Sequence, residues 1–463
     1  MKGKLMRKGV ISLLLVVVLV MSSMTAFAAD TAKQMSSTEF LALAENGTIE
    51  LTEDIELTDK VEIRSDLTID GNGYTISTPS TIKKTFEVYT SDVTFKDVTI
   101  ENTYYDGRCI DTLTDDIALT LSGVTLKATG DASQPLTVGG SDPGTVTIDI
   151  TDSTIETTST GYAIIMWVPT NMTIDNSSIT GWTTLYFKGA ANSADTTGSV
   201  VTVKNSTLTG KNIIDETTSN NFGTVVFEDS GITLNIENSK VTSEATSTAA
   251  QIMFGMASGV TDNTINVSGM SELVVKGDNA VIGNEKDINN DIIIESATSN
   301  VEIPEEFISE STTVEKDPET GEYYVAIELT MTILVDGKEI EDGSYTVSAP
   351  KGYVFTEDDI KELNGLKEDL SDETLTLVGF YWDKDGKDAI VAGDTLTGDA
   401  TLYVIAKTVD ETPAPTPTPD TNTPGTGTTS PDTGDVSPVG LYVVILAAAV
   451  VAVGGFRMRK VVR

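Results

Sequence analysis

Residues 174–179, Ile-Asp-Asn-Ser-Ser-Ile, carry the pattern on which the fold depends. An apolar residue is followed two positions later by Asn, Asp or Gly, and three positions after that by a second apolar residue. The same pattern begins at Phe95, Leu121, Ile150, Val203 and Ile236, with looser versions at Ile69 and Val267. Successive starting positions lie between 24 residues (Ile150 to Ile174) and 33 residues (Val203 to Ile236) apart. Self-similarity of this kind indicates a repeat architecture.

The third position of the pattern predicts a sharp corner in every repeat. Asn, Asp and Gly tolerate the left-handed backbone conformation, in which φ is positive. Short segments with two-residue alternation, which are typical of strands, flank this position. If the same corner recurs in every coil, the corner residues form a continuous column. We therefore expect positive φ at Asn176, Asn205 and Asn238, with Gly71 and Gly269 in the same position of the first and last repeats.

Residues 67–76, Leu-Thr-Ile-Asp-Gly-Asn-Gly-Tyr-Thr-Ile, resemble the opening coil of pectate-lyase-like proteins. The resemblance implies a mainly β fold, a right-handed parallel β-helix over residues 29–305. Eight or nine coils at ~4.8 Å each would make a rod about 40 Å long. A β-sandwich is the alternative all-β interpretation, but the regular coil length and the column of corner residues favour the β-helix.

The start of the β-helix is predicted to carry a helical cap. Ser36 and Glu39 have the spacing of a capping box, and Asn46-Gly47 provides a stop signal. We expect a short helix over residues 37–45. Such a cap would cover the first coil, whose exposed strand edges would otherwise invite aggregation.

The repeat pattern ends near residue 305, and residues 306–410 are predicted to form a separate small domain. Strands are expected within residues 311–348, and Thr356 is expected to cap a helix that ends at Leu370. Residues 377–386, Leu-Val-Gly-Phe-Tyr-Trp-Asp-Lys-Asp-Gly, and residues 400–403 resemble the β-grasp repeat of internalin-like bacterial surface proteins. The resemblance implies a β-grasp-like domain in which these two segments pair.

The first 28 residues have the composition of a secretory signal peptide. Lys2, Lys4, Arg7 and Lys8 precede the apolar residues 10–21, and Ala26-Phe27-Ala28 supplies small residues for cleavage before Ala29. The mature chain is therefore expected to be exported.

The C-terminal end resembles the sorting signal of Gram-positive surface proteins. A short motif precedes an apolar span, residues 439–456, and a basic tail, residues 457–463. The motif residues are Ser430, Pro431, Asp432, Thr433 and Gly434. The usual motif begins Leu-Pro, so the Ser-Pro start leaves the class of sortase open. A plain C-terminal membrane anchor that is never cut is the alternative.

In such proteins a sortase cuts after the threonine, here Thr433, and joins it to peptidoglycan. Sortase and peptidoglycan are therefore the implied partners, and the cell wall on the extracellular face is the implied location. The span of 18 apolar residues would form about 27 Å of transmembrane helix before sorting. Residues 411–429, with five Pro and eight Thr, are predicted to be an extended linker across the wall.

Composition narrows the classes of function. A net charge of -40 argues against nucleic acid as a partner. Histidine, the commonest general base and metal ligand, is absent. The single cysteine, Cys109, excludes an intrachain disulfide and is expected to be a small buried residue. We predict no cofactor and no metal site, and we interpret the residues 383–388, Asp-Lys-Asp-Gly-Lys-Asp, as a surface turn rather than a calcium loop.

One group of residues is a candidate for carbohydrate chemistry. Arg108 lies near Asp106, Asp111, Asp115 and Asp116 in the sequence and is one of two arginines between residues 30 and 410, the other being Arg64. Polysaccharide hydrolysis needs two carboxyl groups at a defined separation. We interpret the Arg108 group as a polar loop between coils, and the carboxylates as scattered over loops rather than grouped on one strand face. We therefore predict no catalytic residue, and a wall-tethered carbohydrate-active enzyme is the alternative function.

The densest aromatic stretch offers candidate ligand contacts. It contains Tyr162, Trp167, Trp182, Tyr186 and Phe187. Packing inside the coil or under a loop is the favoured interpretation, but exposed aromatic faces would stack on sugars or anchor a protein. Trp167 and Trp182 are the candidate contacts for an environmental or host glycan or a matrix protein. The predicted function is a non-enzymatic surface protein that acts in adhesion, in ligand binding or as a stalk.

Overall fold

The computed structural model describes residues 32–409, apart from 90–91, 115, 140–143, 159, 190–192, 212–222, 245–251, 257–258, 276–290, 309–311, 319, 370 and 372–374. The predicted signal peptide, wall-spanning linker, sorting signal and transmembrane helix 439–456 lie outside the described residues. Within the described part, no helix is both long and apolar enough to cross a membrane.

The protein is mainly β, and its larger part is built from three long sheets that each coil visits in the same order. Sheet 1 consists of β2 (Thr48–Glu50), β5 (Leu67–Asp70), β8 (Asp92–Lys96), β11 (Ala118–Ser122), β14 (Val146–Thr151), β17 (Thr170–Asp175), β20 (Val200–Lys204), β23 (Thr233–Glu237), β26 (Thr264–Ser268) and β28 (Asp291–Ile294).

Sheet 2 follows sheet 1 in every coil. It consists of β1 (Lys33–Met35), β3 (Ile55–Leu57), β6 (Thr75–Thr78), β9 (Thr99–Asn102), β12 (Thr125–Ala128), β15 (Thr154–Thr157), β18 (Ser178–Gly181), β21 (Thr207–Gly210), β24 (Lys240–Ser243), β27 (Ser271–Val275) and β29 (Ala297–Ser299).

Sheet 3 completes the coil. It consists of β4 (Val61–Ile63), β7 (Lys84–Val88), β10 (Arg108–Thr112), β13 (Leu136–Val138), β16 (Tyr162–Met166), β19 (Thr183–Phe187), β22 (Gly223–Phe227) and β25 (Ile252–Met256). Strands from successive coils pair in parallel in all three sheets, as in the register Ile150↔Ile174 of sheet 1. Within the described residues, eight coils contribute a strand to every sheet, which fits a parallel β-helix and not a β-sandwich.

The interior of the β-helix is filled by the inward-facing alternate residues of each strand. Ile150, Ile174 and Val203 stack along sheet 1 with no exposed surface. Because successive side chains in a strand point to opposite faces, the intervening positions face outward and are polar. Cys109 is fully buried in this core, as expected.

The predicted column of corner residues is present between sheets 1 and 2. Asn176, Asn205 and Asn238 have φ of 46°, 48° and 49°. The column is also linked by hydrogen bonds, since Asn176 Nδ2 donates to Asp152 Oδ1 at 2.5 Å and Asn205 Nδ2 donates to Asp175 Oδ1 at 2.9 Å. The left-handed corner therefore recurs from coil to coil.

The expectation for the first corner is wrong by one residue. Asn72, not Gly71, has positive φ there, with a value of 50°. Gly71 is needed for another reason: a Cβ at this position would lie 2.4 Å from the Cβ of Val98 in the next coil. Gly269, at the last corner, has the expected positive φ of 67°.

A serine ladder, which the repeat pattern did not predict, follows the corner column. Each serine hydroxyl accepts a hydrogen bond from the backbone N–H one coil earlier, at 3.0 to 3.2 Å. The serines are Ser153, Ser177, Ser206, Ser239 and Ser271. The Asn-Ser and Asp-Ser pairs in the repeats were the available signal. Because buried N–H groups need partners, the ladder satisfies donors that the corner removes from the sheets.

Replacing Asn205 by valine is expected to lower the free energy of unfolding by about 1–2 kcal/mol, because a β-branched residue is strained at positive φ. Replacement by glycine should be close to neutral. Chemical denaturation of the two variants measures the difference. Equal stability of the two variants would show that the backbone conformation at this corner is not what selects asparagine.

The N-terminal cap is present but shorter than expected. Helix α1 spans Ser37–Leu41, and Ser36 and Glu39 form the predicted capping box. The helix ends before residue 45 because Glu45 instead forms an antiparallel bridge with Thr48. Phe40 on this helix is fully buried, and its ring lies 5.9 Å from the ring of Phe86 in the core.

The C-terminal part consists of five strands and one long helix. They are β30 (Thr313–Lys316), β31 (Tyr323–Val335), β32 (Lys338–Pro350), α2 (Glu357–Asp369), β33 (Leu375–Tyr381) and β34 (Ala400–Thr408), after a 3-10 turn at Glu305–Phe307. The sheet runs β32-β31-β34-β33, with β31 and β34 parallel and the outer pairs antiparallel. The two segments that were expected to pair do so, with Tyr381 opposite Tyr403.

The C-terminal sheet is joined directly to the end of the β-helix. Strand β31 pairs antiparallel with β29 through Thr298↔Tyr324 and Ser299↔Tyr323. Val325, on β31, is fully buried and belongs to the core of the β-helix. The C-terminal part therefore covers the last coil, as α1 covers the first.

Candidate functional site

The outer face of sheet 3 carries both charged and aromatic side chains. One outward-facing residue from each of seven successive strands lies in the same register position, so that these residues form a row along sheet 3. The row reads Glu62, Glu87, Asp111, Thr137, Ile165, Tyr186 and Val226. The row is charged in the early coils and apolar in the later ones, so it divides the face into two regions.

The early region is a charged ladder of ion pairs. Its members are Lys60, Glu62, Arg64, Lys84, Glu87, Arg108 and Asp111. Arg64 lies 2.7 Å from Glu62, whose carboxylate lies 3.2 Å from Lys60. From Lys60, acidic and basic side chains continue to alternate up to Arg108 at the other end of the ladder.

The centre of the charged ladder is withdrawn from solvent. Asp111 is 1% exposed, and its carboxylate lies 2.7 Å from Lys84 Nζ and 2.9 Å from Arg108 Nη1. Glu87 is 3% exposed and lies 2.5 Å from Lys60 and 2.7 Å from Lys84. Buried charges of this kind are tolerated only when they are paired.

The ion pairs decide the protonation of the ladder. Burial by itself would raise the pKa of Glu87, but hydrogen bonds from Lys60 and Lys84 outweigh it and hold that pKa below its usual range. Burial by itself would lower the pKa of Lys84, yet its hydrogen bonds to Asp111 and Glu87 raise it. Both groups are therefore charged at neutral pH and form an ion pair with each other.

The structure corrects the expectation of a polar loop around Arg108. Arg108 and Asp111 lie on β10, whereas Asp106 binds Lys83 and Gln134 instead, and Asp116 is exposed. Asp115 lies outside the described residues. Arg108 and Asp111 are therefore part of the sheet, and of the grouped aspartates that the structure describes, Asp111 is the one that pairs with Arg108.

The view that the carboxylates are scattered over loops is also wrong. Glu62, Glu87 and Asp111 are direct register neighbours in sheet 3. Arg64 and Arg108, which are 44 positions apart in the sequence (108 minus 64), belong to one network. Parallel pairing brings together residues about one coil apart, and local sequence spacing does not show this.

The later region is an aromatic patch. We define it as Tyr162, Trp167, Trp182 and Tyr186, with Lys188 and Glu228 at its edge. The ring of Tyr162 lies 5.4 Å from that of Trp182 and 4.9 Å from that of Tyr186. Tyr186 is buried over Ile165 and Val226, whereas Tyr162, Trp167 and Trp182 remain partly exposed.

The favoured interpretation of the aromatic stretch holds for only part of it. Phe187 packs inside the coil and stacks on Phe227 at 5.1 Å with an interplanar angle of 13°. The other four rings lie on the outside of sheet 3. Strand alternation explains the difference, because Tyr186 and Phe187 are adjacent and must face opposite sides.

Lys188 holds the patch in a fixed arrangement. Its ammonium donates a hydrogen bond to the Tyr186 hydroxyl at 2.8 Å, lies 3.4 Å from Glu228, and lies 5.7 Å from the centre of the Trp167 ring. The Tyr186 hydroxyl also donates to Glu228. Burial, with the neighbouring Glu228 carboxylate, raises the pKa of Tyr186, so the hydroxyl stays neutral.

Trp167 retains hydrogen-bonding capacity. Its indole N–H is buried and has no acceptor among the residues described. A buried donor without a partner is costly.

The other residues considered for metal binding or catalysis are less suited to these roles. Among the described residues, no cluster of three or more acidic or Cys side chains is arranged to hold a metal ion. Asp383 Oδ1 accepts hydrogen bonds from the N–H groups of Lys387 and Asp388, at 2.8 and 2.9 Å, so it is used within its own turn. Burial raises the pKa of the Cys109 thiol, which makes it unreactive.

Comparison with known families finds one match. The family model of the pectate lyase-like adhesive domain matches residues 41–132. This match covers the early coils and the whole charged ladder. Comparison with curated proteins and with solved structures finds no match. The family match and the parallel sheets together support an adhesion-type surface module.

Proposed function

We propose that the chain is a non-enzymatic adhesion protein, anchored to the cell wall, which binds a glycan or a matrix protein on the outer face of sheet 3. The aromatic patch is the observation that carries this proposal. Partly exposed rings fixed on a rigid sheet provide contact area with little loss of conformational freedom on binding. The family match to an adhesive domain supports the same class of function.

The charged ladder supports binding more than catalysis. A general acid or base must exchange protons with a substrate that it can reach. Asp111 and Glu87 are almost fully buried, and each is held by two cations. A carbohydrate-active enzyme remains the alternative function, because polysaccharide cleavage uses carboxyl groups held close together, and three carboxylates lie in register on the outer face of sheet 3.

The proposal also includes a β-grasp-like C-terminal domain and a right-handed coil. The strand order is β32-β31-β34-β33, and helix α2 connects the antiparallel pair β31–β32 to the antiparallel pair β33–β34. This arrangement supports the β-grasp-like interpretation. The strong preference for right-handed crossovers between parallel strands supports a right-handed coil. The internalin-type relationship rests on the residue pattern of 377–386 alone.

The wall anchor rests on the sequence of the C-terminal end. In this proposal, the linker 411–429 carries the folded part across the wall, and sortase joins Thr433 to peptidoglycan. The direct junction between β29 and β31 suits a stalk, because it leaves the β-helix and the C-terminal sheet in continuous contact.

Truncating Trp182 or Trp167 to alanine is expected to weaken binding to the ligand of this protein at least about tenfold, since central aromatic residues dominate binding energy. A glycan and matrix-protein array with the purified protein identifies the ligand, and titration of each variant measures the loss. Tyr105→Ala is a matched control, because Tyr105 is 67% exposed and lies on the loop before β10, outside the patch.

The same samples test the enzymatic alternative. The wild-type protein is expected to release no oligosaccharide from a panel of polysaccharides. Release that Arg108→Ala abolishes, while the folded fraction stays unchanged, would overturn the non-enzymatic proposal. Binding that survives both tryptophan substitutions would exclude the aromatic patch as the contact surface.

Substituting Thr433 by alanine is expected to remove the protein from the cell-wall fraction, because sortase would have to recognise the threonine side chain at the position that it joins to peptidoglycan. Fractionation of cells and immunoblotting measure the shift to membrane and medium. Unchanged wall attachment would favour a plain membrane anchor.

A further inference from the structure

A cleft lies in the C-terminal part, between the end of β33 and the segment before β34. It encloses about 370 Å³ and is lined by Trp382, Asp394, Thr397 and Asp399 among others. This volume is at the lower end of the range for small-molecule sites, and suits one sugar ring or one side chain. It lies on a different part of the molecule from the aromatic patch.

The Trp382 ring is held in one orientation. Its indole N–H donates a hydrogen bond to Asp394 Oδ2 at 2.8 Å, and the Val391 N–H donates to the same oxygen at 2.9 Å. The Phe355 ring packs against it edge to face, with centroids 5.7 Å apart and an angle of 73°. A ring fixed by both a hydrogen bond and an aromatic contact is pre-organised for a ligand.

The charge of the cleft is negative. Asp394 and Asp399 both line it, and none of the described residues that line it is Lys or Arg. Asp399 Oδ1 accepts the Glu328 N–H at 2.8 Å, whereas Oδ2 makes no hydrogen bond within the described residues. The same holds for Asp394 Oδ1, since both bonds to this carboxylate use Oδ2.

Two other aromatic rings of this protein contact the same cation. Lys188 lies over the rings of Trp167 and Tyr186, at 5.7 and 4.2 Å. In the described part of the chain, no cation lies over Trp382 in this way. Aromatic faces attract cations, and nearby carboxylates add to the attraction.

We propose that this cleft binds a ligand through an ammonium group, which sits between the Trp382 ring and the carboxylates of Asp394 and Asp399. An amino sugar and a lysine side chain both carry such a group. The net charge of -40 favours the approach of a cationic ligand over an anionic one. A neutral sugar would gain the ring contact but not the attraction of the two carboxylates.

Calorimetric titration of the full-length protein with three probes tests the proposal. The probes are glucosamine, its neutral counterpart N-acetylglucosamine, and Nα-acetyl-lysine amide. Glucosamine or the lysine derivative is expected to bind about tenfold more tightly than N-acetylglucosamine, because only these carry a cation. The relative affinity of the two cationic probes distinguishes an amino sugar from a lysine side chain.

Two variants locate the binding. Asp399→Asn keeps the acceptor for the Glu328 N–H but removes the charge, and is expected to weaken the cationic probes about tenfold with no change in melting temperature. Trp382→Phe is expected to abolish the quenching of tryptophan fluorescence that these probes cause in the wild type. Asp385→Asn, which alters an exposed carboxylate on the nearby turn, should leave their affinity unchanged.

Three outcomes would overturn the proposal. They are equal affinity for glucosamine and N-acetylglucosamine, no binding of either cationic probe, or equal weakening by Asp399→Asn and Asp385→Asn. Trp167→Ala and Trp182→Ala change the aromatic patch and leave this cleft intact. Failure of this proposal is therefore distinguishable from failure of the adhesion surface on sheet 3.

Discussion

Replacing Asp111 by alanine is expected to lower the free energy of unfolding by about 3–5 kcal/mol, the usual effect of removing one partner from a buried ion pair. The carboxylate is 1% exposed and forms ion pairs with both Lys84 and Arg108. Its loss leaves two cations in a partly buried site, where their side chains are 24% and 17% exposed. Chemical denaturation followed by circular dichroism measures the change.

Glu237→Ala is a matched control for this prediction. Glu237 also pairs with a lysine of the neighbouring coil, Lys204, at 3.5 Å, but the two side chains are 46% and 43% exposed. Exposed ion pairs contribute about 0–1 kcal/mol, so this variant should be close to wild type. If the two substitutions cost the same, burial does not set the energy of the charged ladder.

Substituting Val325 by aspartate is expected to destabilise the β-helix itself by more than about 4 kcal/mol, because it places an unpaired carboxylate in an apolar core. Val325 belongs to the C-terminal part of the chain, yet it is fully buried among residues of the last coils. The unfolding of the β-helix should therefore shift together with that of the C-terminal sheet.

Tryptophan fluorescence separates the two transitions, since Trp167 and Trp182 report on the β-helix in a Trp382→Phe background. Thr346→Asp is the control, because Thr346 is exposed on the adjacent strand β32. A shift confined to the C-terminal sheet would mean that β31 does not stabilise the last coil.

The site was less predictable than the fold. The sequence identified Trp167 and Trp182 as candidate contacts, since clustered aromatic residues are visible in the chain. It did not identify the charged ladder, because Glu62, Glu87 and Asp111 are about one coil apart and become neighbours only through the register of sheet 3. It also placed Arg108 and Asp111 in a loop, because charged residues are rarely buried in a strand.

The repeat pattern by itself determined the parallel coils and the positive φ at Asn176, Asn205 and Asn238, and the local spacing of Ser36 and Glu39 determined the capping box. These features depend on local backbone preferences and on alternation, which the order of residues encodes directly. The tertiary structure alone decided which outward side chains meet across coils, and that β31 covers the last coil through Val325. Both depend on pairing between distant segments, and the hydrophobic pattern together with the turn geometry of whole coils, not a local backbone preference, sets that pairing.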